Sequence, residues 1–400
     1  KHVAAYSGGE RPTVASTVNY ETPLEDLNLN WREQDLPEKE RTKHVHRLHP
    51  YLGKYIPQLV EIFLRKYFEA GQTLLDPFCG SGTTLVQANE LGINSIGYDV
   101  SEFNVMLCRV KTDMYDLGKV RKEVLDILEK VKIATQHRDG RISLWDDSLI
   151  EEAHLTEENK YLKEWFAPRA LNELLIFRNL IPNYHYQNLL KVILSRSARS
   201  SRLTTHFDLD FPKKPQTEPY YCYKHSRTCA PTTDAFQFLK RYGLDSLKRI
   251  GEYAPKRTGA SVKVIHSDSR SASFPEIDGV ITSPPYVGLI DYHQQHAYAY
   301  HLLGLNDQRN KEIGAADKGS SQKARKQYQE DIACVFRRLS DRLKPGGRMI
   351  VVAGDRANLY GDIAKKAGVE VEATVLRHVN RRTGRRSGEF YESVFIWRKS

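Results

Sequence analysis

Apolar side chains recur at three- and four-residue intervals through residues 56–68 (Ile56, Leu59, Val60, Phe63, Leu64, Tyr67), the spacing of an amphipathic helix with one buried face. A short apolar run at 73–75 predicts a strand, and it ends in the turn Asp76-Pro77-Phe78-Cys79-Gly80-Ser81-Gly82. Helical spacing resumes over 83–91, and a second strand over 95–98 ends at Asp99. Strand, glycine turn, helix and strand form a β-α-β unit, so the fold class expected is α/β with an open, largely parallel sheet.

Another helix is predicted over 117–135. The pattern then changes. Residues 138–259 read as helices (162–179, 186–200, 234–253) interrupted by a stretch rich in proline and tyrosine, 203–231. The α/β rhythm returns with strands at 261–266 and 279–282, a helix at 328–343, a strand at 348–352 and a helix at 359–367. Two closing strands follow, at 369–378 and 392–398. Residues 1–45 are charged and broken by Pro12, Pro23 and Pro37, and are expected to wrap the surface as an arm. The division expected is therefore an arm (1–45), a two-part α/β domain (46–137 and 260–400) and a mainly helical insertion (138–259).

Composition narrows the function. No apolar run approaches the ~18 residues of a membrane span, and the first ten residues are not signal-like. The chain opens on Lys1 rather than Met, so a short upstream segment is expected to be missing. Five scattered cysteines suit reduced thiols in a cytosol better than a disulfide framework. The formal net charge is +10, and basic residues cluster at 196–202, 311–326 and 377–386, the footprint of a polyanion partner.

Two motifs carry chemistry. In Asp76-Pro77-Phe78-Cys79-Gly80-Ser81-Gly82-Thr83-Thr84 the glycines permit a tight turn and close ligand approach at a strand's carboxyl end. Asp99 follows about 20 residues later at the next strand end, where an acidic residue holds ribose hydroxyls. In Thr282-Ser283-Pro284-Pro285-Tyr286, two prolines fix the backbone at another strand end. The Ser283 side chain and Pro284 carbonyl can accept N–H bonds from an amino group, and Tyr286 can stack on a base.

Together these segments resemble the DNA amino-methyltransferases, which modify N4 of cytosine or N6 of adenine. The resemblance covers most of 46–112 and 261–398. It implies a Rossmann-like class I methyltransferase sheet with helices on both faces, S-adenosyl-L-methionine as cofactor, and double-stranded DNA as partner. A cognate restriction endonuclease fits the same setting. Catalytic roles fall on Ser283, Pro284, Pro285 and Tyr286. The cofactor is expected on Asp76, Pro77, Phe78, Gly80, Ser81, Gly82, Thr83 and Asp99. His49-Pro50 and Lys54 resemble the segment covering its methionine end, and Asp268 the contact to its adenine. Lys344-Pro345-Gly346-Gly347 resembles the turn before a later strand. Ser at the first position of the catalytic motif is usual for cytosine-N4 enzymes. Adenine N6, and a non-catalytic specificity subunit keeping the cofactor fold, remain as alternatives.

The insertion is the candidate for reading DNA sequence, with Arg196, Arg199 and Arg202 expected at phosphates. Cys222-x2-His225-x3-Cys229, with His206, is a short-spaced set of metal-ligand types. Local packing is the expectation there, and no metal is expected, since amino methylation needs none. Cys79 is expected to pack, and no Pro-Cys dipeptide supplies the nucleophile of carbon-5 methylation. The turn holding Arg381, Arg382, Arg385 and Arg386 joins the last two strands on the face expected to meet DNA. Replacing Arg381 and Arg382 by alanine should weaken binding to every sequence and flatten its salt dependence; an unchanged slope of log K against log salt in a binding titration would count against this.

Overall fold

In the computed structural model, residues 4–6, 11–136, 159–210, 212–288, 290–380 and 389–399 are described. Its centre is an eight-stranded sheet. In chain order the strands are β1 (Ala4–Tyr6), β2 (Thr73–Asp76), β3 (Asn94–Asp99), β6 (Val262–His266), β7 (Ile277–Thr282), β8 (Leu343–Ala353), β9 (Val369–Asn380) and β10 (Glu389–Lys399), and a separate two-stranded hairpin supplies β4 (Tyr220–Cys222) and β5 (Arg227–Cys229). The spatial order is β1-β9-β10-β8-β7-β2-β3-β6. Strands β6, β3, β2, β7 and β8 run parallel, while β10 is antiparallel to both its neighbours. The chain builds outward from β2 through β3 and β6, then crosses back to place β7 on β2's other side. That reversal is where open α/β sheets bind ligands.

Alternation along the strands assigns the two faces of the sheet. Ile281, Ile350 and Val352 point to one buried cluster, with α1 (Pro57–Tyr67) and Ala88 of α2 (Thr83–Glu90). Val280, Met349 and Val351 point to the other, under helices Gln322–Ser340 and Tyr360–Ala367. The arm does more than wrap the surface. Leu27 and Leu29 are fully buried in the first cluster, Asn30 Oδ1 accepts from His378 N at 2.7 Å, and β1 extends the sheet by pairing with β9.

A third cluster joins α3 (Glu102–Thr112) and α4 (Leu117–Gln136) to α5 (Lys160–Trp165), α6 (Pro168–Leu180), α7 (Gln187–Ser201) and α8 (Phe236–Tyr253). The helix expected over 162–179 is thus two helices. Proline fits the first helical position because its missing N–H needs no partner there, so Pro168 restarts the chain after a break at Phe166. Helix α3 was not expected. Its signal was Ser101, whose side chain caps it by accepting Asn104 N at 3.2 Å. No helix among the described residues is long and apolar enough to cross a membrane.

The β2–β7 seam depends on one small residue. A Cβ on Gly279 would lie 2.1 and 2.5 Å from the Phe68 ring and 3.1 Å from the Arg348 carbonyl oxygen. Gly279→Ala should therefore lower stability by about 1–3 kcal/mol through overpacking, read as a reduced urea midpoint at unchanged slope.

Candidate active site

Strand β2 delivers Asp76 to the sheet's carboxyl edge, where its carboxylate is almost fully buried. Thr84 Oγ1 donates to one oxygen at 2.7 Å; Thr282 Oγ1 donates to the other at 2.6 Å, and Phe78 N donates at 3.1 Å. One side chain thus ties the glycine turn, the start of α2 and the end of β7 together. Burial raises the Asp76 carboxyl from its ordinary 3.8 to about 6, against the lowering effect of those hydrogen bonds.

The turn that follows curls over the end of β3. Gly80 has φ +47°, and a Cβ there would sit 3.2 Å from the Tyr51 hydroxyl, so the backbone must be bare. Gly80 N donates to Asp99 Oδ2 at 2.9 Å, Ser101 N to Asp99 Oδ1 at 2.8 Å, and Asn104 Nδ2 to Asp99 Oδ1 at 3.1 Å. Burial raises the Asp99 carboxyl and these three donors oppose the rise. Fully buried Lys111 donates to Ser81 O at 2.6 Å and so anchors the turn from beneath.

These elements wall one concave cleft, the shape of a small-molecule site. Of the expected residues, Lys54, Pro77, Phe78, Gly80, Ser81, Thr83, Asp99, Asp268, Ser283 and Pro285 line it. Both motifs, far apart in the chain, meet there. Asp76 and Gly82 stand behind the wall instead. Two buried polar atoms of lining residues, Ser81 Oγ and Asn104 Oδ1, have no hydrogen-bond partner. Unpaired buried polar atoms cost free energy unless a ligand satisfies them. A bare glycine turn, a carboxylate and unsatisfied polar atoms fit a nucleoside-bearing cofactor such as S-adenosylmethionine.

Other expected residues lie elsewhere. His49 is fully buried and turned from the cleft, with Nε2 3.0 Å from Ser195 Oγ and Nδ1 2.8 Å from the Pro50 carbonyl oxygen. Burial lowers its pKa well below the usual histidine value. Neither His49 nor Pro50 lines the cleft; Tyr51 beside them does, stacked on Tyr292 at 5.6 Å. Lys54 reaches the cleft wall, donates to His46 O at 2.8 Å, and is lowered by burial to about 8. Asp268 faces the cleft but is held by Arg270, whose Nη2 donates at 2.7 Å. Burial works to raise Asp268, and Arg270 prevails and leaves it lowered.

Pro284 and Tyr286 sit just behind Ser283 and Pro285. The Tyr286 ring is 9% exposed, and its hydroxyl donates to Glu392 Oε1 at 2.9 Å. Glu392 in turn accepts from Arg377 Nη1 at 3.2 Å. The ring therefore braces the proline corner in this conformation and offers the cleft little area.

The arginines expected at phosphates are directed inward. Arg196 donates to Asp245 at 2.6 Å and stacks over Tyr242; Arg199 pairs with Asp210; Arg202 donates to Leu209 O at 2.6 Å and lies over Tyr298. Arg196 and Arg202 are buried, so freeing them for DNA would break buried charge pairs and hydrogen bonds. Arg381, Arg382, Arg385 and Arg386 lie outside the described residues. Sequence reasoning missed Tyr51, Asn104, Tyr292 and Glu312, all of which reach the cleft from loops or helices without a motif. Only the pair Ser101-x-x-Asn104 offered a signal, as a helix start.

A DNA methylase family profile matches residues 13–108. The Type II methyltransferase M.MjaII of Methanocaldococcus jannaschii is 38% identical over 430 aligned positions, spanning 90% of this chain and 81% of that protein. The Type II methyltransferase M.BsoBI of Geobacillus stearothermophilus is 25% identical over 301 positions, 69% of this chain and 56% of its own length.

The sign of the Asp76 shift is testable. A carboxyl whose pKa is raised on folding binds more protons in the folded state, so its contribution to stability is fullest below about pH 4 and is lost as pH rises through about 6. Asp76→Asn removes this dependence, about 3 kcal/mol in size. The difference in urea midpoint between wild type and variant should therefore change steadily from pH 4 to pH 7, and a constant difference would refute the assignment.

Proposed function

Because the chain belongs to the family of DNA amino-methyltransferases acting on N4 of cytosine or N6 of adenine, we propose that it methylates cytosine N4 at a specific duplex sequence, as the modification partner in a restriction system. The observation carrying this reading is the shared cleft, lined by Ser283 of the proline corner, Gly80 of the glycine turn and Asp99 at the end of β3. Serine at the head of the corner favours cytosine over adenine.

When bound, S-adenosylmethionine supplies an electrophilic methyl group on a sulfonium sulfur. Asp99 and Asn104 are placed for the ribose hydroxyls, and Ser81 for a polar group of the same ligand. The target base leaves the duplex, since its amino nitrogen is shielded while stacked. The Ser283 hydroxyl and the Pro284 carbonyl accept the two amino N–H bonds, which turns the nitrogen lone pair out of the ring and towards the cleft. Positioning of this kind supplies most of the acceleration. The methylated nitrogen sheds its proton to solvent, so no side chain with a shifted pKa is demanded. Tyr286, freed by a small opening of the corner, stacks on the extruded base. Residues 138–259 contribute the sequence reading, and Arg381, Arg382, Arg385 and Arg386 the phosphate contacts.

Methylation of a random duplex library with labelled donor, followed by nucleoside mass analysis, should give 4-methylcytosine; 6-methyladenine alone would overturn the base assignment. Ser283→Ala should lower kcat about 100-fold while changing cofactor affinity less than about threefold. Tyr286→Phe keeps the ring and should retain most activity, whereas Tyr286→Ala should lose about 10-fold or more. Equal losses in the two would show that the hydroxyl brace, not stacking, is what Tyr286 provides.

A further inference from the structure

The hairpin β4–β5 is a poor candidate for independent stability. Each strand has three residues, and a lone two-stranded ribbon is at best marginal in water. Apolar packing does little to hold it. Among the described residues 203–234, the buried hydrophobic side chains are Cys222 and Cys229 alone, while Phe207, Tyr221 and Tyr223 are 44%, 55% and 78% exposed.

What the hairpin does bring together is four ligand atoms. His206, Cys222, His225 and Cys229 each direct one nitrogen or sulfur to a common point, all within 4.8 Å of one another. His225 Nδ1 lies 3.6 Å from Cys222 Sγ and 3.6 Å from Cys229 Sγ, and His206 Nδ1 lies 3.5 Å from Cys222 Sγ. Zinc holds thiolate at about 2.3 Å and imidazole at about 2.0–2.1 Å. In a tetrahedron those bond lengths separate sulfur from nitrogen by about 3.6 Å. These three sulfur–nitrogen distances match that separation. The tight turn after Cys222, closed by His225 N donating to Cys222 O at 3.1 Å, returns His225 to the same centre.

The geometry points to a structural zinc site of the Cys2His2 type formed by His206, Cys222, His225 and Cys229. All four positions are filled by protein, which leaves none open for catalysis, and none of the four residues lines the cleft. Binding releases the two thiol protons, so Zn²⁺ and two thiolates leave the centre neutral. Tyr220 Oη lies 2.9 Å from His206 Nδ1, and binding requires the nitrogen lone pair to turn from that hydroxyl to the ion. Its other bond, accepted from His206 N at 3.2 Å, is compatible with the ion. The ion would tie the segment after α7 to the hairpin and to the entry of α8, in place of a hydrophobic core.

The full chain, purified under reducing conditions, should carry about one zinc by elemental analysis. Cys222→Ser and Cys229→Ser should lose at least about tenfold of it, and Cys334→Ser, at an exposed cysteine outside the cluster, should keep it. Because a serine variant can lose its hairpin altogether, His225→Cys provides a second arm. Loaded with Co²⁺, it should show about 1.5-fold the thiolate-to-metal absorption of the wild type, three sulfurs replacing two. Refolded wild type that takes up less than about a tenth of an equivalent of Zn²⁺ overturns the site. So does a His225→Cys spectrum identical to wild type, or a Cys222–Cys229 disulfide in place of the ion.

Discussion

One buried carboxylate organises the functional edge of the sheet. Asp76 accepts from Thr84 at the start of α2 and from Thr282 at the end of β7, so it fixes the two halves of the cleft relative to each other. Its burial is costly, which is why its pKa is raised. The cost is tolerated because the alternative is worse. Without this acceptor the Thr282 hydroxyl would lose its hydrogen bond, and the end of β7 its side-chain tie to Asp76 at the end of β2. Thr84 can also reach the Ile281 carbonyl oxygen at 3.3 Å and is bonded to the Tyr55 hydroxyl. The carboxylate is therefore the hub of a network, and such networks are stiff when fully satisfied.

Stiffness there contrasts with incompleteness a few ångströms away. Gly80, Ser101 and Asn104 preset Asp99, so that carboxylate is oriented before any ligand arrives. A carboxylate has about four acceptor positions, and three donors leave room for one more. Ser81 Oγ and the Asn104 carbonyl oxygen have no partner. The cleft thus combines a rigid frame with a few polar atoms left wanting, the condition under which binding energy goes into recognition rather than reorganisation.

The fold was readable because its strands are short apolar runs ending in chemistry. The runs before Asp76, Asp99 and Thr282 needed no tertiary information, and the glycine turn and proline corner mark strand ends by their own backbone demands. What could not be read depends on approach from elsewhere. Tyr51, Tyr292 and Glu312 enter the cleft through packing between distant loops, with no local pattern. His49 illustrates the opposite error. Tyr51, two positions on, does face the cleft, yet a partner 146 positions away, Ser195, draws the His49 ring inward. Lys111 sits on a helix whose apolar face gave no reason to expect a buried ammonium. Its role follows only from the Ser81 carbonyl oxygen that receives it.

The arginines of α7 make the same point about charge. Clustered positive residues in a basic chain suggest phosphate contacts, but the cluster does not reveal whether acidic partners lie nearby in space. Asp245 and Asp210, on other elements, neutralise Arg196 and Arg199, and Arg202 spends its donors on the Leu209 and Arg199 carbonyl oxygens. These bonds lock α7 to α8 and to the loop before the hairpin. Helix α7 also supplies Ser195 to His49 and packs with α3 in one cluster, and the Tyr300 hydroxyl lies 2.8 Å from Ser101 Oγ beside Asp99. Helix α7 is thus packed in one cluster with α3, whose first turn carries the cleft residue Asn104. A displacement of α7 would have to be absorbed at α3, whose first turn holds Asp99. Packed side chains join α7 to the wall of the cleft through α3, and close-packed interiors transmit strain instead of absorbing it.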